Sequence, residues 1–140
     1  RFAAINLNSS YLTRSQEIGA LTPTGVKVVR VSGIDMTFSN LGSITYNSSL
    51  NSIDVPRAGG TFTVTASFTP LNATNQNLTW NTNKSWVTLS NNRASTITVT
   101  IADNSAWDTI KQQGTLTLTA DDGNWSCNVN IRQNGTWSWW

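Results

Sequence analysis

Residues 59–69 read GGTFTVTASFT. Phe62, Val64, Ala66 and Phe68 share one parity, and Thr61, Thr63, Thr65, Ser67 and Thr69 share the other. Successive strand side chains point to opposite faces, so the pattern predicts a strand with one apolar and one hydroxyl-bearing face. The same period recurs in three more places. STITVTI (95–101) lines up Ile97, Val99 and Ile101, and GTLTLTA (114–120) lines up Leu116, Leu118 and Ala120. WSCNVNI (125–131) sets Trp125, Cys127, Val129 and Ile131 against Ser126, Asn128 and Asn130. Such alternation predicts half-buried antiparallel strands.

Outward from these four, the turn chemistry fits. Asp122-Gly123 stands between two alternating runs, a strong hairpin signal. NLTWN (77–81) and SWVTLS (85–90) read as brief strands, and SIDVP (52–56) as an edge strand closed by Pro56. Residues 53–133 thus hold about seven strands at regular spacing and no helix pattern. The expected fold class is all-β, an immunoglobulin-like antiparallel β-sandwich with an extended N-terminal segment. Three regions follow. Residues 1–50, with VKVVRVSGIDMTFS and SITYN, form a β-rich arm or small extension; 51–135 form the sandwich; 136–140 form a Trp-rich tail.

Composition points the same way. Charged residues make up only 11% of the 140, while Ser, Thr and Asn number 54. Much Thr with little Glu or Lys favours strand over helix. Nine Lys and Arg against seven Asp and Glu leave a net charge of +2. The basic residues are scattered singly, without the concentrated patch of a nucleic-acid reader, so no nucleic-acid partner is expected. No stretch is long and apolar enough to span a membrane. The single cysteine, Cys127, excludes an intrachain disulfide. Seven N-x-S/T sequons occur, at Asn8, Asn47, Asn72, Asn77, Asn83, Asn124 and Asn134; several are expected by chance in so Asn-, Ser- and Thr-rich a chain, and all are compatible with glycosylation.

The stretch from VPRAGGTFTVT through LTWNTNKSWVTLS and TITVTIADN to GTLTLTADDGNWSCNVNIRQNG, residues about 53–135, resembles a BACON domain, a bacterial immunoglobulin-like module. The Gly59-Gly60 pair, the Ser85-Trp86-Val87 core and the closing Ile131-x-Gln133-x-Gly135 carry the likeness. The resemblance implies a sandwich without catalytic residues, of a kind found in surface glycan-handling proteins of gut Bacteroidetes and in phages that infect them. Carbohydrate binding and a spacer role have both been proposed for such modules. This chain departs from the pattern in its N-terminal extension and its Trp-rich tail, and it is expected to act without an attached enzyme domain.

The chemistry expected of the chain is sparse. It has no histidine, which removes the commonest general base and transition-metal ligand. Cys127 shares parity with Val129 and Ile131 and is expected to face the core as a small apolar group. The carboxylates are Glu17, Asp35, Asp54, Asp103, Asp108, Asp121 and Asp122. Asp121 and Asp122 suit the hairpin turn, and Asp103 and Asp108 a solvated loop rather than a calcium site. No catalytic, metal or cofactor-binding residue is expected, so the chain reads as a non-enzyme.

The seven tryptophans carry more information. Trp80 and Trp86 lie in middle strands and at least one is expected in the core, and Trp125 has inward parity. Trp107 sits in a polar loop, DNSAWDT (103–109), where it either contacts a partner or sugar or folds back as a lid. Trp137, Trp139 and Trp140 crowd the last four residues, and a cluster of that size is expected to be covered. Trp107, Trp137, Trp139 and Trp140 are therefore the candidate contact residues. The leading expectation is a structural or assembly module on an exterior surface, such as a virion or a bacterial coat. It would join protein partners, or further copies of itself, through the arm and the tail. The alternative is a carbohydrate-binding or adhesion module for surface or dietary glycans.

Overall fold

The computed structural model describes residues 27–107 and 109–136. Among these run nine strands: β1 (Gly33–Ser39), β2 (Thr45–Asn47), β3 (Ser52–Val55), β4 (Gly60–Thr69), β5 (Leu78–Thr82), β6 (Val87–Leu89), β7 (Thr96–Ile101), β8 (Gln112–Ala120) and β9 (Ser126–Gln133). They form a four-stranded sheet, β1-β4-β7-β6, and a five-stranded sheet, β2-β3-β9-β8-β5. The last seven strands lie where the sequence predicts them, four from alternation and three as brief strands.

Register carries the pattern across each sheet. Phe62 pairs with Val99 and Val64 with Ile97, while Thr61, Thr63 and Thr65 pair with Thr100, Thr98 and Thr96 on the other face. In the second sheet Leu118 lies between Trp80 and Cys127, and Leu116 opposite Val129. The two apolar faces close on one another and bury Phe62, Val64, Val99, Ile53, Leu116 and Ile131. Trp80 is only 2% exposed, and its indole N–H donates to Ala94 O at 2.7 Å. A buried Trp keeps its polar handle satisfied in this way.

Three expectations are corrected. SIDVP is not an edge strand: β3 lies between β2 and β9. Nor is the sheet wholly antiparallel, because β3 runs parallel to β9, with Ile53 beside Ile131 and Val55 beside Gln133. Pro56 falls just past the last residue of β3, so its missing N–H costs the ladder nothing. Trp125 does not pack inward; it is 48% exposed. Gly123 and Asn124 adopt φ of 81° and 55°, and this left-handed turn breaks the alternation before β9 begins at Ser126.

Residues 33–47 of the N-terminal extension enter both sheets, β1 against β4 and β2 against β3. The outer strands are short or covered. β2 and β6 have three residues each, the Met36 N–H is held by the Asp35 carboxylate at 2.9 Å, and Trp80 N–H donates to Asn92 O at 2.9 Å. Such devices blunt a sheet edge against unwanted pairing.

Candidate functional site

The end of the sandwich where β3 passes to β4 and β7 to β8 is built on residues of the Gly-Gly and Ile-x-Gln-x-Gly stretches. Gly59 has φ +80°, and a Cβ there would stand 2.3 Å from Ile101 O, so only glycine permits this approach. Gln133 is fully buried at the end of β9. Its Nε2 donates to Ala102 O at 2.8 Å and lies 3.3 Å from both Pro56 O and Arg57 O, while its Oε1 accepts from Gln112 Nε2 at 2.8 Å. One buried amide thus ties two loops to the start of β8, and a buried polar group this well satisfied rigidifies what it joins.

The β7–β8 loop is held on this base. Asp103 accepts from Ser105 N–H at 2.8 Å and from its hydroxyl, a local turn that lowers the Asp103 pKa. Asn104 N–H donates to Arg57 O at 2.6 Å, and its side-chain amide donates to Ile110 O at 2.9 Å and Asn134 O at 3.0 Å. The Thr109 hydroxyl donates to Asn104 O at 2.6 Å and accepts from Thr136 N–H at 3.0 Å. The Thr136 hydroxyl donates to Ala106 O at 2.8 Å. Gly135 lies so close that a Cβ would stand 2.4 Å from the Ile110 carbonyl carbon.

This pinned loop presents Trp107, 82% exposed, and Ile110, 69% exposed. Trp107 does not fold back as a lid. Trp137, Trp139 and Trp140 lie outside the described residues; in sequence they follow directly on Thr136, which is bonded to the Trp107 loop. Composition alone did not single out Asn104 and Gln133, which place the loop. The resemblance did mark Gln133 and Gly135, without their physical reason.

The other chemistry-bearing groups serve the scaffold. Asp54 receives two hydrogen bonds from Arg132, both at 2.9 Å, which hold its carboxyl below the usual range against the opposing push of partial burial. Asp122 is bound by the Arg30 guanidinium and by Val31 N–H, and its pKa is lowered by these contacts, Arg30 first. Asp121 pairs with Arg93 at 2.8 Å. Burial pushes the Cys127 thiol up to about 11. Among the described residues no group of three His, Cys, Asp or Glu comes together to hold a metal. Asp108 and Glu17 lie outside them.

No protein-family model matches the chain, and no curated protein matches it. Solved structures do. The chain is similar to a Bacteroides ovatus GH5 xyloglucanase in complex with an XXXG heptasaccharide, at 18% identity over 66% of this chain with a TM-score of 0.50. The fold is an immunoglobulin-like β-sandwich. The chain spans only 19% of the length of that xyloglucanase. A protein from Bacteroides thetaiotaomicron is similar at 11% identity, covering 84% of this chain and 96% of the other, TM-score 0.42. Titin domain M4 is similar at 15% identity, covering 76% and 98%, TM-score 0.37. The described carboxylates all have partners: Asp54, Asp121 and Asp122 pair with arginines, Asp103 with Ser105 in its own turn, and Asp35 with the Met36 N–H.

Proposed function

We propose that this chain is a carbohydrate-contacting module of BACON type, carried on an exterior surface of a cell or virion, with Trp107 as its sugar platform. The observation that carries the reading is the exposure of Trp107 on a loop held by hydrogen bonds at both ends. A large rigid aromatic that keeps its face open and loses little entropy on contact is suited to stack on a sugar ring. The likeness to a xyloglucanase bound to a heptasaccharide supports the same ligand class, as a likeness of fold. The Gly59, Gln133 and Gly135 arrangement supports the BACON assignment by giving its motif a physical purpose.

The test is retention on immobilised neutral polysaccharides. Trp107→Ala is expected to weaken retention at least about tenfold, as for a truncated aromatic anchor, without lowering the unfolding midpoint. Wild-type protein that is retained on no glycan of a broad array sinks the reading.

A second reading is an assembly subunit that joins protein partners or copies of itself through the N-terminal segment and residues 136–140. It is favoured by the bonding of Thr136, the residue that precedes Trp-Ser-Trp-Trp in sequence, to the loop that carries Trp107. Light scattering on the full chain and on a chain ending at Gly135 separates the two. Association by the full chain alone supports assembly, and two monomers remove it.

A further inference from the structure

The outer face of the five-stranded sheet carries rows of uncharged polar side chains. Asn81, Thr117 and Asn128 stand side by side on β5, β8 and β9, as do Thr79, Thr119 and Ser126. Between β5 and β8 this face dips into a recess of about 320 Å³ lined by Asn81, Thr82, Asn83, Thr115 and Thr117. That volume is at the lower end of the range for ligand pockets, about 300–1,000 Å³.

Much of the polar surface elsewhere is engaged by the protein itself. Asn47, Asn75 and Asn91 accept from backbone N–H groups of their own turns, and Asn51 donates to Asn128 O. In the recess only part of the hydrogen-bonding capacity is used. Asn83 Oδ1 accepts from Thr115 N–H at 2.8 Å, which fixes the Asn83 amide at the rim. Among the described residues none bonds the side chains of Asn81, Thr115 or Thr117.

We propose that this recess is a subsite for a neutral oligosaccharide, which passes from the Trp107 loop along β8 and sets its hydroxyl groups against Asn81, Asn83, Thr115 and Thr117. The inference rests on the carbohydrate reading above and adds the second half of its binding surface. The chemistry selects the ligand. An anionic ligand calls for Arg or Lys and a hard cation for carboxylates, and no charged residue lines the recess. A carboxamide both donates and accepts, as adjacent sugar hydroxyls require, and threonine hydroxyls do the same. The topology joins the two parts. β8 starts at Gln112, after the loop that presents Trp107, and its outward residues run Gln113, Thr115, Thr117 toward the recess.

The experiment uses the full chain, with the XXXG heptasaccharide and a polygalacturonate oligomer as neutral and acidic probes. Backbone amide shifts locate each, and calorimetry gives affinities for wild type, Asn81→Leu, Thr117→Val and Trp107→Ala. Val keeps β-branching and Leu retains a strand-compatible volume, and a thermal melt of each variant checks that it folds. The expected result is that the heptasaccharide shifts the amides of residues 81–83 and 115–117. Each recess variant then weakens binding about three- to tenfold, the worth of one neutral hydrogen bond. Loss of binding in Trp107→Ala with both recess variants at wild-type affinity overturns the recess and leaves the Trp107 platform standing. A preference for polygalacturonate overturns the neutral assignment. If neither probe moves a recess amide, the recess is overturned, and if neither moves the Trp107 indole signal, the platform falls with it.

Discussion

Thr109 and Thr136 lie on two segments 27 residues apart and are bonded twice, through Thr136 N–H to Thr109 Oγ1 at 3.0 Å and between their hydroxyls at 3.1 Å. The loop that shows Trp107 to solvent is therefore not a free excursion. It shares a hydrogen-bonded seam with the segment that leaves β9, and Asn104 closes the same seam from the other side by donating to Ile110 O and Asn134 O.

The seam is expected to matter for contact as well as for stability. Asn104→Ala leaves two carbonyls without their donor and should cost about 1–3 kcal/mol in urea unfolding. Glycan retention should fall in the same variant although Trp107 is untouched, because a loosened loop must be ordered on binding. Unchanged retention would show that Trp107 acts without the seam.

Gln133→Leu keeps the volume of a fully buried side chain but removes the donor of Ala102 O and the acceptor of Gln112. A loss of about 2–4 kcal/mol is expected, read from denaturant midpoints, since several buried groups lose partners at once.

The two tryptophans with opposite exposure should behave oppositely. Trp80→Ala opens a cavity in the core and unpairs Ala94 O, for a cost of about 3–5 kcal/mol. Trp107→Ala should stay within about 0.5 kcal/mol of wild type. Thermal melts of the pair check both.

Acid should destabilise the fold in part through Asp54. Its folded pKa lies below the ordinary carboxylate value of 3.8, chiefly through the Arg132 hydrogen bonds. A lowered folded pKa contributes stability that is present above the unfolded value and lost as pH falls through 3.8 toward the folded one. Asp54→Asn should cost about 1–2 kcal/mol at neutral pH and flatten the fall in melting temperature over that window. A wild-type slope in the variant would exclude the pair as a source.

Cys127 should alkylate slowly. A rise from 9.0 to about 11 leaves about a hundredfold less thiolate at any pH well below both values. Iodoacetamide labelling at pH about 8 should be slower than for a small free thiol by at least that factor, and unfolding in urea should restore the free rate.

The strands were legible because alternation is a local property. Phe62, Val64 and Phe68 in β4 or Leu116 and Leu118 in β8 declare their inner face within a few residues, and the neighbours of each strand simply continue it. Trp125 failed for a local reason too: it stands just before β9 begins at Ser126, and its indole lies over Gly123 of the turn. The position of β3 was not legible. Its parallel partner β9 is more than seventy residues away, and no short-range signal specifies which of two apolar strands lies beside it.

The proposed contact surface divides along the same line. A tryptophan in DNSAWDT, the absence of histidine and the threonine and asparagine parity are readable from residue types and spacing, because they depend on what each side chain is. That Trp107 is exposed, that Asn104 and Gln133 hold its loop, and that Asn81 and Thr117 share one recess are consequences of distance between remote segments. Those distances arise only when two sheets close over a common core, since burial and hydrogen-bond partnership belong to pairs of segments and not to either one alone.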